Sequence, residues 1–313
     1  MSREVKVVTI PEGLESERID AALARLLGLS RSVVVDLIEA GDITRNSKVV
    51  MKSEKVSAGQ ILEIRMPAPK KPIEAVPTPV DGLQVIFNDD DVIVINKPAG
   101  VASHPSPGWH GPTVVGALMA GGFTITTTGA QERQGVVHRL DVGTTGLMVL
   151  AKNENAYTSL KDQFRTRSVE KTYHALVQGH MDPSEGTIDA PIDRHPRDDY
   201  RFAVVADGKP SITHYKTLEF FPACSLLEIE LETGRTHQIR VHFSALHHPL
   251  VGDITYGADH TLAHKLHMTR PWLHAKKLAF THPRSGERLE FVTDYPAELE
   301  RSLESLQGPK VGE

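Results

Sequence analysis

Five prolines fall within the stretch "MPAPKKPIEAVPTPVDG", Met66 to Gly82, and no apolar periodicity runs through it. Proline lacks a backbone N–H and keeps the residue before it out of the helical region, so this stretch can extend neither a helix nor a central strand. It reads as a semi-extended linker over residues 67–82. The chain is therefore expected to fold as a small first domain, residues 1–66, and a larger second one, residues 83–313.

The two parts differ in hydrophobic period. In the first, Ile19, Leu23, Leu26 and Leu27 recur at helical spacing, with Ser16 as the expected N-cap and Gly28 as the stop. Ser30 caps a second predicted helix that carries Val33, Val34, Leu37 and Ile38 and ends at Gly41. Short strands are expected at Val49–Met51 and Gln60–Arg65, giving an αα-β domain with its core at about residues 15–66. Arg31, Arg45, Lys48, Lys52 and Lys55 lie on or near the second helix and the loop after it; such charges alone read as a solvated surface.

From Leu83 the chain becomes strand-rich. "LQVIFNDDDVIVINKP" reads as two strands around an Asn-Asp-Asp-Asp turn. Further strands are expected at Gly135–Leu140, at Leu147–Ala151, in "KTYHALVQG" and in "SLLEIELETG". The last places Leu227, Ile229 and Leu231 on one face, as a half-buried strand does. Asn153 is expected to cap a helix running to about Arg165. Hairpin-type connections with few helices imply an α+β fold with a mixed, largely antiparallel sheet.

Composition removes several function classes. The single cysteine, Cys224, allows neither an internal disulfide nor a thiolate zinc cluster within the chain. Met1 to Thr9 has no apolar core of signal-peptide length, and no apolar run approaches membrane-spanning length. A cytoplasmic protein without a membrane partner is expected, as a monomer. Net charge is −5, with 12 Lys/Arg against 10 Asp/Glu in residues 1–71 and 23 against 30 in the remainder. A polyanion would thus be bound through local patches.

No Gly-rich phosphate loop of dinucleotide or P-loop type occurs, so nucleotide hydrolysis has no support. Of the 16 histidines, His237, His242, His247 and His248 cluster in sequence, but without H-E-x-x-H or another recognised ligand spacing; no metal is expected. In "VVHRLDVGTTGLMVLAKN", Asp141 stands behind His138 and Arg139 at the mouth of a Gly/Thr turn. Alone it reads as an ordinary turn aspartate. Tyr173, in "RTRSVEKTYHALVQGH", follows Arg165, Arg167 and Lys171; a strand tyrosine serves core packing or the stacking of a base. In "ETGRTHQIRVHFSALHHPLVGD", Ile239, Val241 and Phe243 fit a strand, whereas Ile239, Phe243 and Leu246 fit a helix capped by Thr236. The helix is preferred, because Arg240, Ser244 and His247 then share its polar face.

Taken together and in order, "INKPAGVASHP", "HRLDVGTTGLMVLAKN", "EKTYHALVQGH", "GRTHQIRVHF", "HPLVGDITYG" and "LHAKKLAFTHPRSG" resemble the signature stretches of the RluA/RluD family of RNA pseudouridine synthases. The resemblance covers about Leu83 to Leu299. Residues 15–66 resemble the alpha-L RNA-binding domain known from a ribosomal protein, although "TRNSKVV" stands where that domain usually reads "VNG". The resemblance implies an isomerase, an intramolecular transferase that converts uridine in RNA to pseudouridine without metal or cofactor. By position, Asp141 would be the catalytic aspartate, Tyr173 would stack on the target base, and Arg240 would pair with Asp141. Arg139 would help to expel the base, with His138 and Lys97 beside it at the substrate. Arg31 and Lys48 would grip RNA from the first domain. Closeness to RluD-like members implies large-subunit ribosomal RNA, free or in pre-ribosomal particles.

The residue chemistry suits that assignment. The reaction needs a carboxylate that is ionised at neutral pH, and a neighbouring arginine opposes the drift of a buried carboxyl towards its neutral form. Extruding a base costs a few kcal/mol, which stacking on an aromatic ring, worth about 1–3 kcal/mol, helps to offset. The competing readings are the same reaction on transfer RNA, a non-catalytic RNA-binding or ribosome-assembly factor, and a histidine-based metallohydrolase.

Overall fold

The computed structural model describes residues 3–67 and 74–307, and the chain divides into two compact units, Met1–Lys71 and Pro72–Glu313. The first unit contains β1 (Val5–Thr9), α1 (Ile19–Leu27), α2 (Arg31–Glu39), β2 (Ile43–Arg45), β3 (Lys48–Val49) and β4 (Ile61–Arg65), with sheet order β1-β4-β2-β3. Ile19 and Leu23 of α1, Val34, Leu37 and Ile38 of α2, and Leu62 and Ile64 of β4 form its core. Ser30 caps α2, its hydroxyl accepting from the Val33 N–H at 3.4 Å. Ser16 does not cap α1. Its φ is 63° and its N–H donates to Val56 O, so it closes a loop two residues before the N-cap, Arg18. Arg18 and Arg31 converge on Asp20 at 3.0 and 2.8 Å and hold that buried carboxyl down at about 2. β1 lies outside the expected core; its alternating Val5 and Val7 face water, 54% and 64% exposed, and gave no amphipathic signal of burial.

Part of the expected linker, residues 68–73, lies outside the described residues. Residues 74–82 do not stand free: Ala75 and Val80 pack against the core of the second unit, and the Thr78 N–H donates to Gly116 O at 3.1 Å.

The second unit runs β5 (Gln84–Asn88), β6 (Val92–Lys97), α3 (Val114–Ala120), β7 (Thr145–Ala151), α4 (Glu154–Arg165), β8 (Glu170–Gln178), β9 (Glu185–Asp189), β10 (Ile192–His195), β11 (Asp198–Val204), β12 (Ile212–Phe221) and β13 (Cys224–Leu231). It continues through α5 (Gln238–Ala245), α6 (His260–Lys265), β14 (Leu273–Thr281), β15 (Arg288–Val292) and α7 (Ala297–Gln307). Nine strands form one sheet in the order β5-β6-β7-β14-β8-β13-β12-β9, with β15 on β14; β10 and β11 form a separate hairpin. Of the pairings in the large sheet, β7 with β14 is parallel and the others are antiparallel, so the fold is α+β with a mixed, largely antiparallel sheet. Gly146 makes the parallel contact possible: its φ is 111°, and a Cβ there would stand 2.3 Å from Ala275 O.

Asn153 caps α4 by accepting from the Ala156 N–H at 2.9 Å. Two strand expectations fail. Gly135–Leu140 is not a strand, and Val136 makes a single bridge to Leu150. Side chains take the polar groups that a ladder would have used. Ser103 Oγ accepts from Leu140 N and donates to Leu140 O, and His138 Nε2 accepts from Val149 N. Nor is β13 half-buried throughout. Leu227 and Ile229 join the main core, but Leu226 is buried on the other face with Trp272 and Leu299, because α7 covers that side. No helix among the described residues is long and apolar enough to cross a membrane.

Behind β8 and β14, His174 and His274 stand directly opposite each other. His174 Nδ1 lies 2.5 Å from the Tyr295 hydroxyl, and His274 Nδ1 lies 2.8 Å from Thr145 Oγ1. Burial, reinforced by Lys276, pushes them down to about 4 and about 3. The unfolded chain takes up these protons near pH 6.5, whereas the folded chain resists them. Their contribution to stability is complete above that pH and is lost as pH falls towards 4, by about 1.4 kcal/mol per pH unit per proton. The thermal midpoint, followed by circular dichroism, is expected to fall steadily from pH 6.5 to pH 4. His174→Gln should flatten that slope.

Candidate active site

The site grows from the turn that feeds β7. Thr144 N donates to Asp141 O at 3.0 Å, closing a β-turn over residues 141–144. Ser103 fixes the residue before it, Leu140, through both backbone groups. Lys97 fixes Val142, the residue after Asp141. At the end of β6 and opposite Gly146, its ammonium donates to Val101 O at 2.9 Å, Pro98 O at 3.0 Å and Val142 O at 3.4 Å. Lys97 was expected at the substrate, but its side chain is fully buried and its donors are taken by these carbonyls. Burial pushes it down to about 7, against the opposing charge of Asp141. It staples the turn.

Arg240 reaches the turn from α5. Its Nη1 lies 3.5 Å from Asp141 Oδ2, while Nε and Nη2 form a two-pronged pair with Asp253 at 2.6 and 2.9 Å. Burial works against the guanidinium charge, but Asp253 and then Asp141 outweigh it and hold Arg240 above the ordinary arginine value. The Tyr256 ring lies 4.8 Å beneath it. α5 is the helix preferred from the sequence, but Thr236 is not its cap. The residue before the helix is His237, left-handed at φ 57°, and the Gln238 amide oxygen accepts from Arg235 N instead.

Tyr173 sits on β8, paired with Ile229 on one side and Ala275 on the other. Burial, with the Asp141 charge, drives its phenol above the usual range, so it stays neutral. Asp141, Tyr173, Arg139 and Arg240 line one small cavity of about 60 Å³; Asp141, Arg139 and Arg240 line a second of about 180 Å³. Tyr173 and Arg139 also border a groove of about 980 Å³, whose walls carry Arg133, Lys161, Lys171 and Arg235. Arg165 pairs with Asp162 and Arg167 with Glu232 on the same walls, so the groove stays positive. A basic groove bordered by aromatic rings suits a polyanion, and the Asp141 carboxylate stands in a small side cavity that shares Tyr173 and Arg139 with it.

His138 borders the groove stacked on Phe164, with ring centroids 4.7 Å apart. Burial and the nearby Lys171 push it down to about 3, so it is a neutral ring whose Nε2 is engaged by β7. Arg31 and Lys48 belong to the first unit: Arg31 is tied to Asp20, whereas Lys48 is exposed on β3. Of the clustered histidines, His242 lies between Thr213 Oγ1 and Ala190 O, and His248 meets Gln178 O. Asp89, Asp91 and His282 come together at the β5–β6 turn, but Arg284 and Asn153 already bond Asp91.

Sequence reasoning missed Asp253, Tyr256 and the active-site placement of His237. Asp253 sits in "HPLVGD", where a lone aspartate after glycine reads as a turn residue. The signal for His237 was its spacing, three residues before Arg240 across a helix start.

Residues 91–245 match the family described as RNA pseudouridylate synthase. The chain is 54% identical over 299 residues to an uncharacterised RNA pseudouridine synthase of Mycobacterium bovis, covering 96% of this chain and 97% of that one. It is 38% identical to the ribosomal large subunit pseudouridine synthase D of Xanthomonas campestris, covering 98% and 94%. Among solved structures it is similar to human RNA pseudouridylate synthase domain containing 1, with a TM-score of 0.57 and 30% identity over 70% of this chain and 86% of that one.

Asp253 is 1% exposed along its side chain and Arg240 10%, so Asp253→Asn leaves a buried guanidinium short of a counter-charge. Removing one partner of such a pair typically costs about 3–5 kcal/mol. Chemical denaturation is expected to show a loss of that order.

Proposed function

The chain belongs to the RNA pseudouridine synthase family, and from that premise we propose that it isomerises uridines of large-subunit ribosomal RNA, with Asp141 as the reacting carboxylate and no cofactor. RNA as substrate and isomerisation as chemistry come with the family. The ribosomal target rests on relatives named ribosomal large subunit pseudouridine synthase D, at 38–39% identity over most of the chain. One observation carries the site assignment: the Asp141 carboxylate and the Tyr173 ring line one small cavity whose walls continue into the basic groove.

The isomerisation breaks the bond from ribose C1′ to uracil N1, forms one from C1′ to C5, and moves the C5 proton to N1. No co-reactant is needed. Asp141 either adds to the sugar or takes a proton from it, and Arg240 holds the charged form in place. Tyr173, a neutral phenol, serves as a platform for the extruded base, worth about 1–3 kcal/mol by stacking. Arg139 is exposed at the mouth of both cavities and the groove, where a guanidinium can occupy the space that the base vacates. The first unit, which resembles an RNA-binding domain, adds a second grip. Lys48 is a candidate, exposed and outside the carboxylate pairs that take Arg31, Arg45 and Lys52.

The test is tritium release from ribosomal RNA transcribed with uridine labelled at carbon five. Asp141→Asn is expected to release none while binding the RNA within about threefold of the unaltered chain; surviving turnover would sink the assignment. Tyr173→Phe keeps the ring and should retain activity to within about tenfold.

A further inference from the structure

His237 borders both small cavities that contain Asp141. It is one of few non-glycine residues at positive φ, at 57°, a conformation that costs free energy and persists only where the surroundings enforce it. Tyr256 fixes the His237 ring. Its hydroxyl lies 2.9 Å from His237 Nδ1 and also accepts from the Phe202 N–H at 3.1 Å. Tyr256 is 3% exposed, so an unpartnered O–H there would be costly. With its oxygen already accepting from Phe202, the phenol has one proton to give, and His237 Nδ1 is the acceptor in reach. A neutral imidazole that accepts at Nδ1 carries its hydrogen on Nε2. Burial keeps His237 below the usual histidine range, against the pull of Asp141, which agrees with a neutral ring.

That Nε2 faces Asp141 Oδ2 at 3.9 Å. The same oxygen, Oδ2, is the one that Arg240 Nη1 approaches at 3.5 Å. Among the described residues no hydrogen bond or ion pair reaches Oδ1. Separations of this kind in an unliganded site shorten when substrate closes it. Resting on Asp141 as the reacting carboxylate, we infer that His237, in its Nε2–H form, is a positioning residue: it and Arg240 tether Oδ2, so that Oδ1 is the oxygen offered to the substrate sugar.

The assay is single-turnover conversion of ribosomal RNA at saturating enzyme, with RNA affinity measured in parallel. His237→Leu removes the donor and is expected to lower the saturating rate about 10²-fold, the usual cost of losing one aligned donor, with affinity within about threefold. His237→Gln places an amide N–H where Nε2–H stood and is expected to restore at least about tenfold of that loss. Neither Leu nor Gln is among the residues enriched at a left-handed φ, so both variants carry the backbone strain. Tyr256→Phe leaves His237 and its backbone intact but frees the tautomer; it should slow the saturating rate about tenfold at unchanged affinity. The inference is overturned by a wild-type rate in His237→Leu, by a glutamine variant as slow as the leucine one, by a loss confined to affinity, or by an unaffected Tyr256→Phe. No turnover by the unaltered chain overturns the substrate assignment as well. A dead Asp141→Asn beside a fully active His237→Leu overturns this inference alone.

Discussion

A guanidinium withdrawn from water must be matched before it can be aimed, and the pairing of Arg240 with Asp253 does the matching. Asp253 takes Nε and Nη2 in the geometry that suits a planar fork, which leaves Nη1 as the free corner. The contact to Asp141 is consequently longer, 3.5 Å against 2.6 Å. That asymmetry suits the reacting role proposed for Asp141. An aspartate bound on both sides by the same arginine would be held firmly and spoiled as a nucleophile or base. Here the arginine is held by one acid and only leans on the other.

The same economy recurs at Lys97. A buried ammonium is costly, and three carbonyl oxygens offset the cost by giving it a partner for each N–H. Two of those carbonyls lie on the loop after β6 and the third on the turn that carries Asp141. One side chain thereby joins two segments 45 positions apart, a span no local turn signal can impose. The sheet supplies the frame; Lys97 from within the core and Arg240 from the cavity wall place the carboxylate within it.

What could be read from the chain follows from the range of the interactions. The α2 cap at Ser30, the α4 cap at Asn153, the β5–β6 hairpin and the mixed sheet rest on short-range patterns, and a short window contains all of the relevant physics. Gly135–Leu140 misled because two adjacent buried valines look like a strand, when the partners that decide its backbone are the side chains of Ser103 and His138. β13 misled because the alternation of Leu227, Ile229 and Leu231 is silent about α7, more than 60 residues on, which covers the other face. Asp141, Tyr173 and Arg240 came to notice only when several separated stretches were read together; Asp253 and Tyr256 stayed hidden because each looks ordinary within its own window. Lys97 was noticed for its position, and burial then changed what it does.

Gly146 and the parallel pairing of β7 with β14 carry a consequence in time. The turn bearing Asp141 is seated against a strand 128 to 129 positions further along, where Thr145 meets Leu273 and His274. A chain emerging from its N-terminal end has β5, β6 and β7 long before it has β14, and contacts of such sequence separation form late. Until residue 275 has been made and threaded beside Gly146, β7 is paired on one edge only, with β6, and the strand that packs behind Thr145 is missing. A nascent chain that ends before β14 would thus carry Asp141, Tyr173 and Arg240 and still lack Leu273, one wall of their cavity. The cavity is complete only when the sheet closes.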